Sequence, residues 1–154
     1  MNAKNTIIIT NKKAKFDYYL EEEYIAGLVL HGWEVKSLRS GKINLSASHI
    51  IIKYGEAFLI GAQIQPLPTA AKHVAPDPLR TRKLLLHQRE LKRLIGGIER
   101  EGYTLIPLEL FWRNNHIKAK IALAKGKKTY DKRDTIKERE WQRNKSRLVK
   151  SKLY

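Results

Sequence analysis

The chain contains no cysteine among its 154 residues. That excludes a disulfide scaffold, a thiolate metal site and a cysteine nucleophile, and it suits a reducing compartment. No apolar run approaches the roughly 18 residues that a membrane-spanning helix needs. The opening Met1-Asn2-Ala3-Lys4-Asn5 leads into no apolar export core, because Ile7-Ile8-Ile9 is too short for one. Acidic residues are scarce: 15 Asp and Glu stand against 31 Lys and Arg, for a formal charge of +16 and a pI of about 10.1. Such an excess repels itself in a compact chain unless a polyanion lies nearby. Hydrophobic residues make up 42% of the chain, enough for one domain with a core. The expectation is a soluble, cytoplasmic protein with an anionic partner and no membrane association.

The parts of an enzyme are also missing. The histidines at 31, 49, 73, 87 and 116 have no metal-ligand spacing. Gly126-Lys127-Lys128-Thr129 looks like the end of a phosphate loop, but the first glycine of that motif would fall on Ile121. No nucleophile elbow or dinucleotide fingerprint is present. Glu21-Glu22-Glu23 reads as a solvated acidic face on a helix. No catalytic residue, metal or cofactor is expected.

What is abundant is positive charge, and it is unevenly placed. Residues 125–154 carry twelve Lys and Arg against four Asp and Glu, so half of the net charge lies in the last thirty residues. Their few apolar side chains, chiefly Ile136, Trp141, Leu148, Val149 and Leu153, bury too little area to offset the entropy of ordering. The tail is therefore expected to be disordered when free, with Gly126 as a hinge. As a helix it would align Lys132, Arg139, Arg143, Arg147 and Lys150 in one cationic stripe, suited to folding against a polyanion. The alternative is a solvated tail that adds only nonspecific affinity. Trp141 has nothing nearby to bury it, which points to an intermolecular contact.

Residues 1–124 read as strands with two helices. Thr6–Thr10 is β-branched. His49–Lys53 and Ala57–Ile64 flank Tyr54-Gly55-Glu56, and Leu105–Arg113 and Ile117–Ala124 flank Asn114-Asn115; both are hairpin patterns. Gly32–Leu38 alternates as a strand would, with Trp33 and Val35 inward. In the last strand Ile117, Ala119, Ile121 and Leu123 face the core, so Lys118 and Lys120 point outward. One helix is expected over Asp17–Ala26, burying Phe16, Leu20 and Tyr24 and ending at Gly27. A second is expected over Gln88–Glu101, on the apolar stripe Leu91, Leu94, Ile95 and Ile98, with His87 and Glu90 as an imperfect capping box. Gly96-Gly97 inside it implies either a close neighbour or a weak helix, and close packing is the preferred reading. Arg82–Leu86 fits strand or helix, and Pro66–Pro78 reads as a surface loop. The fold class is mainly β: a small antiparallel OB-like barrel of about six strands with two to three short helices, a class that commonly binds oligonucleotides.

Basic residues stand beside aromatic ones along this body: Asn11-Lys12-Lys13, Lys36, Arg39, Lys42, Arg80, Arg82, Lys83, Lys118 and Lys120, with Tyr18, Tyr19, Trp33, Tyr54 and Trp112. Cations contact phosphates and exposed rings stack on unpaired bases, although Trp33 and Trp112 read more naturally as core.

Several of these segments together resemble one family. Glu34-Val35-Lys36-Ser37-Leu38-Arg39 with Gly41 and Asn44-Leu45 is similar to a signature of the SsrA-binding protein (small protein B) family. So are Asn11-Lys12-Lys13-Ala14, Arg80-Thr81-Arg82-Lys83-Leu84-Leu85-Leu86, Glu101-Gly102-Tyr103-Thr104, and Ala124-Lys125-Gly126-Lys127-Lys128 followed by Tyr130-Asp131-Lys132-Arg133. The resemblance implies binding of transfer-messenger RNA and its delivery, with elongation factor Tu, to stalled bacterial ribosomes for tagging of the nascent chain. It implies a barrel that stands in for an anticodon arm, and a tail that becomes helical in the empty message channel beside the decoding centre. By position, Asn11 and Leu85 fall where the family has residues tied to RNA binding, and Lys12, Lys13, Lys36 and Arg39 lie in matched basic motifs. Gly126, Lys127, Lys128, Tyr130, Asp131, Lys132, Arg133 and Trp141 match in the tail. Ile25 stands where the family usually has an RNA-linked glutamate. The protein is expected to act as a monomer. The competing readings are a general ribosomal protein or RNA chaperone, and a nuclease.

Overall fold

The structure, a computed structural model, describes residues 5–69, 75–100, 102–127 and 129–152, with the side chains of residues 129–131, 135 and 146–152 outside that description. The chain runs β1 (Thr6–Thr10), α1 (Lys12–Asp17), β2 (Tyr18–Leu28), α2 (Gly32–Arg39), β3 (Ile43–Asn44), β4 (His49–Lys53), β5 (Glu56–Ile60), β6 (Gln63–Ile64), β7 (Arg82–Leu85), α3 (Gln88–Ile98), β8 (Tyr103–Arg113), β9 (His116–Gly126) and α4 (Thr129–Lys152). Six strands close on themselves in the order β8-β4-β5-β7-β2-β9 and back to β8, while β1 adds to the free stretch of β8. The mainly β barrel with three short helices is thus the one expected. The short β3–β6 pair lies outside the ring.

Both hairpins form where turn chemistry placed them. Asn114 and Asn115 take φ of 50° and 63°, and Tyr54 and Gly55 take 53° and 72°. Two consecutive positive φ values match the right-handed twist of the flanking strands. β9 carries Ile117, Ala119, Ile121 and Leu123 into the core beside Ile50, Leu59, Leu84, Leu94, Leu105 and Leu110. Each buried Ile or Leu among them contributes about 1.5–3 kcal/mol by leaving water.

The strand expected over Ala57–Ile64 is broken at Gly61 (φ 77°) into β5, which pairs with β4, and β6, which pairs with β3. Two further elements differ in kind from expectation. The helix expected over Asp17–Ala26 is instead the short α1 followed by the long strand β2, which pairs with β9 from Tyr18↔Gly126 to Gly27↔Lys118. A spacing of four residues fits one helical turn and also two regular strand repeats. In β2 a bulge between Leu20 and Glu23 intervenes, so Tyr24 packs on the main core while Leu20 joins the smaller cluster of Ala14, Ile106 and Ala124. The β-forming run Tyr18, Tyr19, Tyr24 and Ile25, with β9 available as a partner, decides for strand. Glu21-Glu22-Glu23 accordingly sits on a strand. There Glu21 accepts bonds from Arg100 (3.0 Å) and Tyr103 (2.6 Å).

The strand expected over Gly32–Leu38 is the helix α2, whose start is fixed by the Glu34 carboxylate accepting the His31 N–H at 2.7 Å. Its most buried side chains include Glu34, while Trp33 and Val35 only pack against the edge of the core. The alternation of apolar and charged residues misled because the charged member is the one inside.

The second helix forms as α3, with Glu90 accepting the His87 N–H at 3.1 Å, and stops at Ile98. Arg82–Leu85 resolves as strand. Of the proline-rich loop, the described residues hold no helix or strand, and His73 lies outside them.

Gly96 and Gly97 separate the two readings of the glycine pair. A Cβ on Gly97 would stand 2.6 Å from Leu123 Cδ2, whereas one on Gly96 would meet nothing within 4 Å. Gly97→Ala is expected to destabilise by about 1–3 kcal/mol, because Leu123 is buried and has little room to retreat. Gly96→Ala is expected to stabilise by about 0.5–1 kcal/mol through helix propensity alone. Urea unfolding of the two variants checks the opposite signs.

Candidate nucleic-acid interface

Of the residues singled out from the sequence, Leu85, Lys118 and Lys120 meet on the outer face of β7, β2 and β9, while Asn11, Lys12 and Lys13 lie at α1 and Lys36 and Arg39 on α2. In register, Leu85 of β7 and Lys118 of β9 flank Gly27 of β2, and Ile25 stands opposite Lys120. A Cβ at Gly27 would lie 3.2 Å from Leu85 Cβ, so the absent side chain lets Leu85 fold across the strand. Leu85 is 52% exposed and Ile25 40% exposed. Together with Gly27, Leu86, His87 and Lys118 they line a shallow hollow. An apolar floor beside a cation suits a ribose or base edge next to a phosphate.

A second hollow lies at the start of α1, lined by residues that include Asn11, Lys12, Glu23, Glu109 and Lys120. Asn11 is buried. Its N–H donates to Leu108 O (2.7 Å) and its Nδ2 to Pro107 O (3.0 Å), which ties α1 to the irregular stretch of β8 between Pro107 and Glu109. Its Oδ1 has no partner among the described residues. Lys120 shares its charge with Glu23 (3.9 Å) and Glu109 (3.7 Å). Lys12 and Lys13 lie exposed on α1.

Lys36 and Arg39 are exposed on α2, and the Arg39 guanidinium lies 5.5 Å from the Trp112 ring centre. Arg80 and Arg82, grouped by sequence with the phosphate-binding cations, do different work. Arg82 is fully buried and donates to Glu34 Oε2 (2.5 Å), Ala62 O (2.7 Å) and Pro78 O (3.1 Å). Arg80 donates to Glu34 Oε1 at 2.5 Å. The pair fastens α2 to β7 and the residues just before it, so the two basic motifs are held in fixed relation by a buried carboxylate, the buried Arg82 and the partly exposed Arg80. Sequence reasoning missed this because Glu34 and the arginines lie about fifty residues apart.

In the tail, β9 runs on to Gly126 and α4 follows. Lys127 bonds back to α1 through its N–H to Asp17 O (2.8 Å) and its Nζ to Lys15 O (3.0 Å). Lys132 pairs with Asp17 at 3.3 Å, and Lys132 and Arg139 stand 6.0 and 5.7 Å from the Phe16 ring centre. Arg133, Arg143 and Trp141 are exposed, Trp141 at 55%. Lys128 lies outside the described residues, as do the side chains of Tyr130, Asp131 and Arg147.

Among the described residues no group of three or more His, Cys, Asp or Glu is placed to hold a metal, and no helix is long and apolar enough to cross a membrane. A closed barrel with an apolar and cationic outer face and a basic helical extension is the surface of a nucleic-acid-binding protein. The comparisons narrow this class. The SmpB protein family model matches residues 8–151. An SsrA-binding protein of Acidovorax sp. (strain JS42) is 59% identical over 145 residues, covering 94% of this chain and 92% of the relative. One of Coxiella burnetii (strain Dugway 5J108-111) is 55% identical over 149 residues, covering 97% and 93%. A solved structure described as "tmRNA-SmpB: a journey to the center of the bacterial ribosome" matches with a TM-score of 0.66 and 41% identity, over 79% of this chain and 85% of that one. The chain belongs to the SmpB family.

Proposed function

We propose that this chain binds transfer-messenger RNA and delivers it to stalled bacterial ribosomes, where the RNA's own reading frame tags the unfinished product. The observation that carries this reading is the surface of β7, β2 and β9, where exposed Leu85 and Ile25 adjoin Lys118 on a rigid sheet. It is supported by the relatives, which are SsrA-binding proteins, and by the solved structure that pairs transfer-messenger RNA with a family member in the ribosome. The protein makes and breaks no bond. Affinity comes from counterion release at Lys and Arg, and shape comes from the barrel.

In this reading the barrel takes the place of an anticodon arm. Asn11 positions α1 through its bonds to Leu108 O and Pro107 O, and Lys12, Lys13, Lys36, Arg39, Lys118 and Lys120 contact phosphates. The basic residues of 125–154 leave α1 and probe the empty message channel, where α4 docks against ribosomal RNA. Elongation factor Tu completes the delivery complex, and the protein acts as a cytoplasmic monomer. A competition gel tests the reading: labelled transfer-messenger RNA should resist displacement by unlabelled elongator tRNA. Equal competition by the two RNAs would instead identify a general RNA-binding protein or chaperone.

A further inference from the structure

The two hairpin turns of the barrel share one backbone geometry but not one chemistry. At Asn114-Asn115 both left-handed positions hold the residue that tolerates them. At Tyr54-Gly55 the first such position holds a tyrosine, with φ of 53°. A bulky side chain there works against the turn, and local strain of this kind gathers at sites of contact. The ring adds nothing to the core, for Tyr54 is 92% exposed. The Lys53 ammonium lies 5.3 Å from its ring centre.

The turn's position gives it a use. β5 pairs with β7 through Ala57↔Leu84 and Phe58↔Lys83, and Lys83 Nζ bonds Glu56 at 2.9 Å. Continued by one residue, that register brings Glu56 level with Leu85. The Tyr54-Gly55 turn therefore lies at the end of the ring where Leu85 pairs with Gly27, beside the surface assigned above to RNA.

We infer that Tyr54 is a stacking platform for an unpaired base of the bound RNA, with Lys53 beside it on the adjoining phosphate. A ring gives a base a flat apolar face, and the neighbouring cation supplies attraction to the backbone. The inference rests on the proposed RNA-binding function. It adds a contact that the basic motifs do not supply.

The test uses the full chain with an in vitro transcript of transfer-messenger RNA, and elongator tRNA as the reference. Tyr54→Asn should raise the unfolding temperature, since asparagine suits the turn, and yet weaken binding by about fivefold to a hundredfold. Tyr54→Phe should bind like the original. Stacking releases no counterions, so Tyr54→Asn should leave the salt slope of binding unchanged, whereas Lys53→Gln should reduce it by about one. Unchanged affinity in Tyr54→Asn overturns the inference, and so does equal loss in Tyr54→Phe, which would make the hydroxyl the contact. RNA binding left intact together with weakened binding to a protein partner overturns it too. If the original chain fails to prefer transfer-messenger RNA over elongator tRNA, the functional reading falls, while the effect of Tyr54 on whichever RNA binds is still read directly.

Discussion

Glu34→Gln is expected to destabilise the protein by about 3–5 kcal/mol, the largest effect of any single polar substitution in the barrel. Glu34 and Arg82 are both fully buried, and Arg80 closes the other side of the same carboxylate. Removing the negative charge leaves Arg82 charged inside the fold with neutral acceptors alone: the Ala62 and Pro78 carbonyls and the single side-chain oxygen of the new glutamine, for which Arg80 also competes. Exchanging both partners for apolar residues of similar volume, Glu34→Leu with Arg82→Met, should recover only part of the loss: no fully buried charge is then left unpaired, but the partly exposed Arg80 and the His31 N–H still lose the Glu34 carboxylate.

The same pair sets an acid limb. Burial alone would raise the Glu34 pKa, but bonds from Arg80, the His31 N–H and Arg82 outweigh it and hold the carboxyl below its ordinary value. A folded pKa below the unfolded one means that the unfolded chain binds more protons. This contribution is thus complete above the ordinary carboxylate range and is lost as pH falls through the lowered value. Urea unfolding from neutral to acid pH should show stability falling in the original chain and a flatter profile in Glu34→Gln. Parallel profiles would mean that the buried carboxylate does not govern the acid response.

The fold was legible wherever a local rule acted alone. Asn114-Asn115 and Tyr54-Gly55 fixed two hairpins, and the alternation of Ile117, Ala119, Ile121 and Leu123 fixed which face of β9 is inside. Errors arose where two rules gave the same spacing. Phe16, Leu20 and Tyr24 satisfied a helix and a strand equally, and only the distant partner β9 chose between them. Trp33-Glu34-Val35 alternated as a strand would, yet Glu34 goes inside because Arg80 and Arg82 meet it there. The candidate interface was readable in part. Leu85 and Lys118 were singled out separately, but their meeting across Gly27 depends on strand order, which no local pattern encodes. The strained exposure of Tyr54 was hidden too, since turn composition alone does not say which residue takes the positive φ.

Reversing Arg139, Arg143 and Arg147 to glutamate is expected to abolish tagging while leaving transfer-messenger RNA binding almost intact. The reason lies in how loosely α4 is held. Its described contacts to α1 are one exposed ion pair, Lys132–Asp17, and the approach of Lys132 and Arg139 to Phe16. An exposed pair contributes about 0–1 kcal/mol and each exposed cation–ring contact about 0.5–1 kcal/mol. Fixing the backbone of even a few residues costs more than that, so the helix gives up little when it leaves the barrel for a surface that offers phosphates. Charge-assisted bonds to phosphate are each worth about 1.5–3 kcal/mol. Three lost together exceed about 4 kcal/mol, roughly a thousandfold in occupancy. Residues 125–154 would fall from a net charge of +8 to +2, whereas Leu85, Ile25 and Lys118 stay as they are on the sheet. Nascent-chain tagging on ribosomes stalled at the end of a message, read beside filter binding of the RNA, measures both activities in one preparation. The lysine counterpart, with all three arginines changed to Lys, should keep most of the tagging because the charge remains. If RNA binding fell as far as tagging did, the barrel and the tail would have to form one continuous RNA surface, and the tail would not be a separate sensor of the empty channel.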